Sequence, residues 1–352
     1  MPDCKNQIIT PSSPARRAEE RLCITNINID DIDLSDTTFK ISSHTDISSL
    51  AQSINSIGLL NLPLLKQVND KYIVVSGFRR LAAVKSLISS KDSNLPNKIS
   101  ANILKCDEKT CAFIAISENS FQRDLNTMEQ ARGVALLKKF LSVGEIAERS
   151  NLIFNTKINR ALINNLEDIA GMPNSLHNAV ESDRIAMGAA LKFKQYGYDH
   201  LLIDQFVNLF LNIRCSLNKQ KEIITNIHEI AARENISAVD VINAEEIREI
   251  VDNSGDSADE NRKGNLVRAV LFERRYPNLS KAKEQFNINL KLLNSQGDLK
   301  GSIKLEPPAD FEGRDYTISF KFSNVDDLAQ NADTISALSK NRLLDQIISS
   351  NL

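Results

Sequence analysis

The sequence predicts an α+β protein of several domains, and three features of its hydrophobic pattern support this. Before residue 125, short strand-like runs alternate with stretches whose apolar residues have helical spacing. From residue 126 to about residue 243 the pattern is mainly helical. Near the end, residues 316–322 alternate apolar and polar side chains, as a half-buried strand does. We therefore expect an α/β N-terminal domain, an all-α middle domain and a small α-β-β-α C-terminal unit.

The bulk composition limits the class of protein. The 352 residues suffice for two or three domains, each with its own core. A net charge of -2 argues against a generally basic nucleic-acid coat, so any DNA binding must come from a local basic face. No apolar run is long enough to span a membrane, and the start lacks the apolar core of a signal peptide. The five scattered cysteines form no zinc-binding set and indicate reduced thiols in the cytoplasm.

The first part of the chain divides into a tail and an α/β domain. Residues 1–22 are polar and predict a flexible tail with a helix-prone basic patch at residues 15–22. For the domain at residues 23–125 we predict a strand after Cys23 and a helix at 46–57 that Gly58 ends. Further elements follow in chain order: strands at 62–68 and 72–76, a helix at 79–89, a strand at 99–104 and a helix at 107–117.

Two motifs in this domain carry its chemistry. Ser76 and Gly77 follow a buried strand, and Arg79 and Arg80 stand where a helix begins, an arrangement that favours an anion such as phosphate. Later in the domain come adjacent oxygen ligands for Mg²⁺ and a further arginine, namely Glu118, Asn119 and Arg123. The chain has no Walker-type phosphate loop. The two arginines could equally be surface side chains, and the carboxylate–amide pair a helix cap and turn.

The middle domain, residues 126–243, contains a candidate helix-turn-helix. Thr127 and Gln130 predict a capping box for its first helix. Residues 141–160 then follow a plan of short helix, turn and longer helix, although a simple helical hairpin has the same pattern. Residues 131–165 carry six Lys/Arg against two Glu, the local charge reversal that DNA binding needs. The residues expected to be exposed on the N-terminal half of the second helix, facing DNA, are Asn155, Thr156, Lys157, Asn159 and Arg160.

The remaining chain predicts a linker and a C-terminal unit. Residues 244–264 are strongly acidic and contain Ser254-Gly255, as expected of a linker. The unit at residues 265–345 begins with a helix that Pro277 breaks and continues with two strands and a closing helix.

Three successive motifs resemble those of the ParB family of chromosome and plasmid partition proteins, whose N-terminal domain is related to sulfiredoxin. They are Gly-Leu-Leu-Asn-Leu-Pro at 58–63, Ser-Gly-Phe-Arg-Arg at 76–80 and Glu-Asn-Ser-Phe-Gln-Arg-Asp-Leu at 118–125. The resemblance implies a CTP-dependent DNA clamp that recognises a palindromic site on double-stranded DNA. It further implies a homodimer associated with the nucleoid, and a contact between residues 15–22 and a ParA-like ATPase. Glu118 and Asn119 would hold Mg²⁺, and the nucleotide would contact Gly58, Ser76, Gly77, Arg79, Arg80 and Arg123.

Phe78 departs from this resemblance, because the family usually has glutamate at this position. We expect CTP binding to survive and CTP hydrolysis to be weak or absent, since an acceptor that could orient water or metal is missing. Sulfiredoxins carry a reactive cysteine in the corresponding turn, and this chain has none there. An alternative function stays open, in which the chain is a site-specific helix-turn-helix transcriptional regulator whose ParB-like domain binds no nucleotide.

Overall fold

The computed structural model describes residues 22–43, 46–89, 96–252, 257–295 and 303–349. The chain divides into two compact units, residues 1–211 and residues 212–352. The predicted tail, including the basic patch at 15–22, lies outside the described residues except for Leu22. The predicted α/β domain and the first part of the predicted middle domain belong to one unit, the first.

The first unit begins with a mixed five-stranded sheet of order β1-β5-β3-β4-β2 in the described part of the chain. The strands are β1 Leu22–Asn28, β2 Ile32–Asp33, β3 Leu64–Val68, β4 Lys71–Ser76 and β5 Lys98–Leu104. β5 pairs antiparallel with β1 and parallel with β3, while β4 pairs antiparallel with β3. β4 is a central strand whose last residues are buried, so the motif that follows it starts from a fixed point.

Three helices accompany this sheet: α1 Ser48–Ile57, α2 Phe78–Ile88 and α3 Glu108–Ser120. The sheet, α1 and α2 share one apolar core, which includes Leu65, Val74 and Leu81. As predicted, Gly58 ends α1; its φ of 81° is readily accessible only to glycine. α3 is capped by Asp107 and leads directly to the third motif. The order of strands and helices agrees with the prediction except for the two-residue strand β2, which was not predicted.

The rest of the first unit is helical in the described residues. The helices are α4 Thr127–Lys138, α5 Val143–Phe154, α6 Arg160–Ala170, α7 Asn174–Glu181, α8 Met187–Gln195 and α9 His200–Asn212. α4 starts at Asn126, which forms a capping box with Glu129. The predicted box of Thr127 and Gln130 is therefore wrong by one residue. Both pairs have the spacing of a capping box, and the burial of Glu129 beside Arg123 decides between them.

The second unit continues with helices where a linker was expected. Its helices are α10 Leu217–Glu234, α11 Ala238–Ile242, α12 Glu245–Asp252, α13 Ser257–Arg275 and α14 Pro277–Ser295. α12 and the start of α13 fall in the predicted acidic linker at 244–264, so the described residues of this stretch are mostly helical. Burial explains the difference, because Ile247 and Val267 are 2% and 0% exposed and anchor these helices in a core. Pro277 breaks the long helix as predicted and becomes the first residue of α14.

The C-terminal part of this unit contains a two-stranded antiparallel sheet and two closing helices. The strands are β6 Ile303–Glu306 and β7 Thr317–Phe320, followed by α15 Val325–Leu338 and α16 Arg342–Ser349. Their core contains Phe286 and Leu293 of α14 with Leu305, Leu338 and Ile347. The predicted α-β-β-α order is present, with one additional helix at the end.

Candidate functional site

The turn between β4 and α2 requires glycine for two reasons. Gly77 is the N-cap of α2 and has a φ of 98°, which side chains other than glycine rarely adopt. A Cβ at Gly77 would lie 3.0 Å from the Cβ of Pro63, so no larger residue fits without movement. The turn also places the free N–H groups of the first turn of α2 at the end of a central strand. Such a helix start attracts anions.

Arg80 joins the three sequence motifs. One of its terminal nitrogens donates to the carbonyl oxygens of Asn61 and Leu62, at 3.0 and 3.2 Å. The other donates to Oε1 of Glu118 at 2.9 Å. Its Nε lies 3.3 Å from the position that a Cβ on Gly77 would take. The guanidinium therefore sits between the first and third motifs and directly beside the glycine turn.

Arg79 points to a different part of the fold. Its Nε and a terminal nitrogen donate to the backbone carbonyl of Asp46, at 3.2 and 2.6 Å. Asp46 precedes α1, so this arginine ties the start of α1 to the start of α2. The adjacent arginines thus engage different acceptors rather than one shared partner.

The predicted Mg²⁺ ligands lie at the C-terminal end of α3. Oε1 of Glu118 accepts from Arg80 and, at 2.9 Å, from Nε2 of Gln122. Asn119 donates its Nδ2 to the carbonyl of Ala115 at 2.8 Å, which leaves Oδ1 as its acceptor. A carboxylate and an amide oxygen suit Mg²⁺, but two protein ligands would need water or a substrate to complete the six positions. Among the described residues, no group of three or more His, Cys, Asp or Glu could hold a metal ion.

Arg123 is held by a buried carboxylate. Two of its nitrogens donate to the two oxygens of Glu129, both at 2.7 Å. Glu129 is 0% exposed and also accepts the backbone N–H groups of Ser43 and Asn126, at 3.0 and 3.1 Å. Burial raises the pKa of Glu129, but these hydrogen bonds and the Arg123 charge outweigh it and hold the pKa below the ordinary value. Arg123 thus binds the start of α4, and no hydrogen bond joins it to the glycine turn in the described residues.

The remaining predicted positions differ in what surrounds them. Gly58 has open space on the side where a Cβ would stand. Ser76 is 2% exposed, and its Oγ has no hydrogen-bond partner within the part of the chain that the structure describes. Phe78 is half-buried and packs against the core of the sheet. A buried hydroxyl without a partner beside a glycine turn is a group that a ligand could satisfy.

The candidate DNA-contacting residues lie in the connection between α5 and α6. The structure moves them from the expected N-terminal half of the second helix to the turn and first residue of α6. The reason is that α5 continues to Phe154 and Asn155 ends it in a left-handed conformation. Asn159 caps α6 by accepting the N–H of Leu162 at 2.8 Å. All five predicted side chains are exposed: Asn155, Thr156, Lys157, Asn159 and Arg160.

Two buried contacts fix this connection. Ser150 of α5 accepts the backbone N–H of Ile158 through its Oγ at 3.0 Å, and Ile158 is 1% exposed. Ser120 at the end of α3 donates its hydroxyl to the carbonyl of Ile153 at 2.8 Å. These hydrogen bonds hold the connection against α5, and the end of α5 against α3.

Sequence reasoning missed several groups that shape the site. The carbonyls of Asn61 and Leu62 and that of Asp46 receive the arginines, yet backbone acceptors have no signal in a sequence. Glu129 did have a signal, because it stands three residues after Asn126 and so fits the capping-box spacing.

The first unit is therefore an α/β domain with a glycine turn suited to anions, followed by helices with an exposed polar and basic turn. Residues 13–120 match the family model of the ParB N-terminal domain. This match confirms the predicted resemblance of the N-terminal part of the chain to the ParB family of partition proteins.

Similar proteins include probable chromosome-partitioning and plasmid-partitioning proteins. A probable chromosome-partitioning protein ParB from Helicobacter pylori is 30% identical over 152 residues, covering 43% of this chain and 48% of that protein. A probable chromosome-partitioning protein ParB from Rickettsia conorii is 30% identical over 191 residues, covering 53% of this chain and 61% of that protein. A probable plasmid-partitioning protein ParB from Thermus thermophilus is 26% identical over 180 residues, covering 43% of this chain and 58% of that protein. The matches thus span about half to three fifths of these curated relatives.

Among solved structures, C-terminally truncated ParB from Caulobacter crescentus complexed to the centromeric parS site is similar at 17% identity. The match has a TM-score of 0.32 and covers 57% of this chain and 98% of that one. In the described residues, no helix has the length and apolar character needed to cross a membrane.

Proposed function

We propose that this chain is a ParB-type partition protein that binds double-stranded DNA at a palindromic site and acts in chromosome or plasmid segregation. The family match of the N-terminal domain and the similarity to chromosome- and plasmid-partitioning relatives support this assignment. In this proposal the protein closes on DNA as a clamp when CTP is bound.

The meeting of the three motifs at Arg80 is the observation that carries the nucleotide part of the proposal. Arg80 contacts the first and third motifs and lies beside Gly77, whose turn lets a phosphate approach the backbone closely. Bound CTP would take hydrogen bonds from Arg80 and from the N–H groups at the start of α2. The unsatisfied Ser76 hydroxyl fits the same role. Mg²⁺ would be held by Glu118 and Asn119, with Glu118 turning from Arg80 to the metal.

Hydrolysis of CTP is expected to be weak or absent. The carboxylate that the family usually has at position 78 is replaced by a phenyl ring, and this ring packs against the core of the sheet. The ring cannot accept a hydrogen bond from an attacking water, whereas the glycine turn and the arginine remain. In this proposal the chain therefore binds CTP but hydrolyses it slowly or not at all. The clamp would then reopen when CTP dissociates and not when it is cleaved.

DNA binding is assigned to α5, α6 and their connection, acting as a helix-turn-helix. Exposed polar and basic side chains from Asn155 to Arg160 stand on a base fixed by Ser150 and Ile158. The surrounding residues 131–165 carry a net charge of +4 in a chain of -2. A local excess of positive charge at an exposed helix start favours phosphate contacts and access to base edges.

The proposed partners follow from the same assignment. A palindromic site calls for a homodimer, and the C-terminal unit has large exposed apolar side chains that a second copy could cover: Ile288, Leu292, Phe322, Val325 and Leu328. Association with the nucleoid would follow from DNA binding. The contact of residues 15–22 with a ParA-like ATPase stays a proposal from the sequence.

Calorimetric titration of CTP, ATP and GTP in the presence of Mg²⁺ tests the nucleotide part. We expect selective CTP binding by the full chain and at least about a tenfold loss of affinity in Arg80→Ala, since a charge-assisted bond contributes about 1.5–3 kcal/mol. Lys85→Ala is the matched control, because Lys85 is an exposed cation on the same helix. A folded protein that binds no nucleotide would contradict the proposal.

A site-specific transcriptional regulator without a nucleotide switch is the second candidate function. One observation favours it: Arg79, Arg80 and Arg123 all donate to acceptors within the protein. In that case the glycine turn is a structural junction, and DNA binding alone carries the function. DNA binding that stays unchanged by CTP and by Arg80→Ala would support this candidate.

A further inference from the structure

Two cysteines meet at the start of α3, outside the residues assigned to nucleotide or DNA. Cys106 lies just before the N-cap Asp107, and Cys111 lies in α3 itself. Their sulfur atoms are 3.4 Å apart. All four described cysteines are free thiols, and the other two lie elsewhere: Cys23 is in β1, and Cys215 is in the segment before α10.

The two thiols differ in their access to solvent. Cys111 is 0% exposed, whereas Cys106 is partly exposed. Burial and the neighbouring Cys106 raise the pKa of Cys111 to about 12, so this thiol keeps its proton near neutral pH. An oxidant arriving from solvent therefore meets Cys106 first, with a protonated thiol already in contact behind it.

We propose that Cys106 and Cys111 form an oxidation site, in which a peroxide oxidises Cys106 and Cys111 resolves the product to an intramolecular disulfide. In the first step the Cys106 sulfur attacks one oxygen of hydrogen peroxide and the O–O bond breaks. The leaving hydroxide takes the Cys106 proton, so that a sulfenic acid and one water form. In the second step the Cys111 sulfur attacks the Cys106 sulfur. The S–S bond forms, and the sulfenic hydroxyl leaves as water with the Cys111 proton. Overall, two thiols lose two hydrogen atoms, and one peroxide becomes two waters.

The geometry makes the second step a short movement. A disulfide has an S–S distance of about 2.0 Å, so the sulfurs must approach by somewhat more than 1 Å from their 3.4 Å separation. Cys111 is fixed in the buried part of α3, whereas Cys106 stands in the irregular segment after β5. Cys106 and the residues beside it would therefore move to bring the two sulfur atoms together. The same helix carries Glu118 at its other end.

The experiment treats the full chain with a small excess of hydrogen peroxide, blocks free thiols and digests with trypsin without reduction. Cleavage after Lys105, Lys109 and Arg123 puts the two cysteines on separate peptides, residues 106–109 and 110–123. We expect these two peptides to appear linked, with the loss of two hydrogens, and to separate on reduction. The fraction of Cys106 and of Cys111 that the thiol-blocking reagent modifies should decrease to the same extent.

Three variants control the result. Cys23→Ser removes an exposed thiol and should leave the link intact, whereas Cys106→Ser should abolish it. Cys111→Ala should leave Cys106 as a sulfenic acid that dimedone traps, or as a sulfinic acid. Circular dichroism of each variant checks the fold. Oxidation of Cys106 to the sulfinic acid in the unchanged chain, without the linked peptides, would overturn the proposal.

Discussion

At the scale of single residues, Gly77 and Arg80 work as a pair. The positive φ of Gly77 turns the chain sharply after β4, and this turn brings the arginine of α2 against the backbone of the first motif. The close approach of Pro63 leaves no room for a side chain at position 77. A substitution at either residue should therefore disturb the same contact, that of Arg80 with the backbone of the first motif.

We expect Gly77→Ala to lower the free energy of unfolding by about 2–4 kcal/mol. The positive φ alone costs about 1–2 kcal/mol for alanine, and the contact of the new Cβ with Pro63 adds to it. Gly197→Ala is the matched control, because Gly197 also has a positive φ, of 67°, but nothing within 4 Å of the Cβ position. Urea unfolding of both variants measures the difference, and equal losses would refute the packing part of the explanation.

The Arg123–Glu129 pair gives a prediction about pH. Because the folded pKa of Glu129 lies below its ordinary value, the unfolded chain binds this proton first as the pH falls. The stability from this carboxylate is therefore full above the ordinary pKa of about 4.3 and declines as the pH falls through the folded pKa. As the pH falls through this range, we expect the free energy of unfolding to decline less in Glu129→Gln than in the unchanged chain. The exposed control Glu148→Gln should decline as the unchanged chain does.

Removal of the arginine should be costly at neutral pH. Arg123→Ala leaves a buried carboxylate without its cation. Because the Arg123 side chain is itself 38% exposed, water can replace part of its charge, and the free energy of unfolding should fall by about 1–3 kcal/mol. If urea unfolding of Arg123→Ala at neutral pH matched that of the unchanged chain, the pair would be of no structural importance. Arg123 would then be free for a ligand.

At the scale of elements, the length of α5 decides where the candidate DNA residues stand. A helix ending earlier would have placed residues 155–160 on the second helix. Since α5 runs to Phe154, these residues form the connection and the first residue of α6. Close packing of α4 against α5 holds this arrangement, because a Cβ on Gly133 would lie 2.8 Å from the ring of Phe154.

The double variant Lys157→Ala, Arg160→Ala tests this connection. Both side chains are exposed, so the fold should be kept while DNA affinity falls. If both contact phosphates, the slope of log affinity against log salt should decrease by about 2 in magnitude. Fluorescence anisotropy over a salt series measures the slope, with the exposed Lys340→Ala as control. An unchanged slope would exclude phosphate contacts from these side chains.

At the scale of the whole molecule, the exposed apolar residues of the C-terminal unit predict self-association. Ile288 and Leu292 are four residues apart on α14 and therefore share one face, at 45% and 43% exposure. We expect the chain to be a dimer and the variant Ile288→Asp, Leu292→Asp to shift it to monomers. Light scattering after size exclusion measures the mass, with Lys291→Asp between them as control. A monomeric unchanged chain would contradict the prediction.

The sequence by itself determined the alternation of strands and helices in the N-terminal domain, the helical middle part and the alternating strand near residue 318. These patterns are local, because the period of the apolar residues records which face of an element is buried. It also determined the glycine turn and the three motifs, since glycine after a buried strand has a specific conformational meaning.

Only the tertiary structure decided which partner each charged residue has. Arg79 and Arg80 are adjacent in sequence but point to Asp46 and Glu118, and Arg123 binds Glu129. In the acidic stretch at 244–264, residues 245–252 and 257–264 are helical because Ile247 and the following Val267 are buried in a core. Such outcomes depend on contacts between distant residues, and local propensity is too weak to predict them.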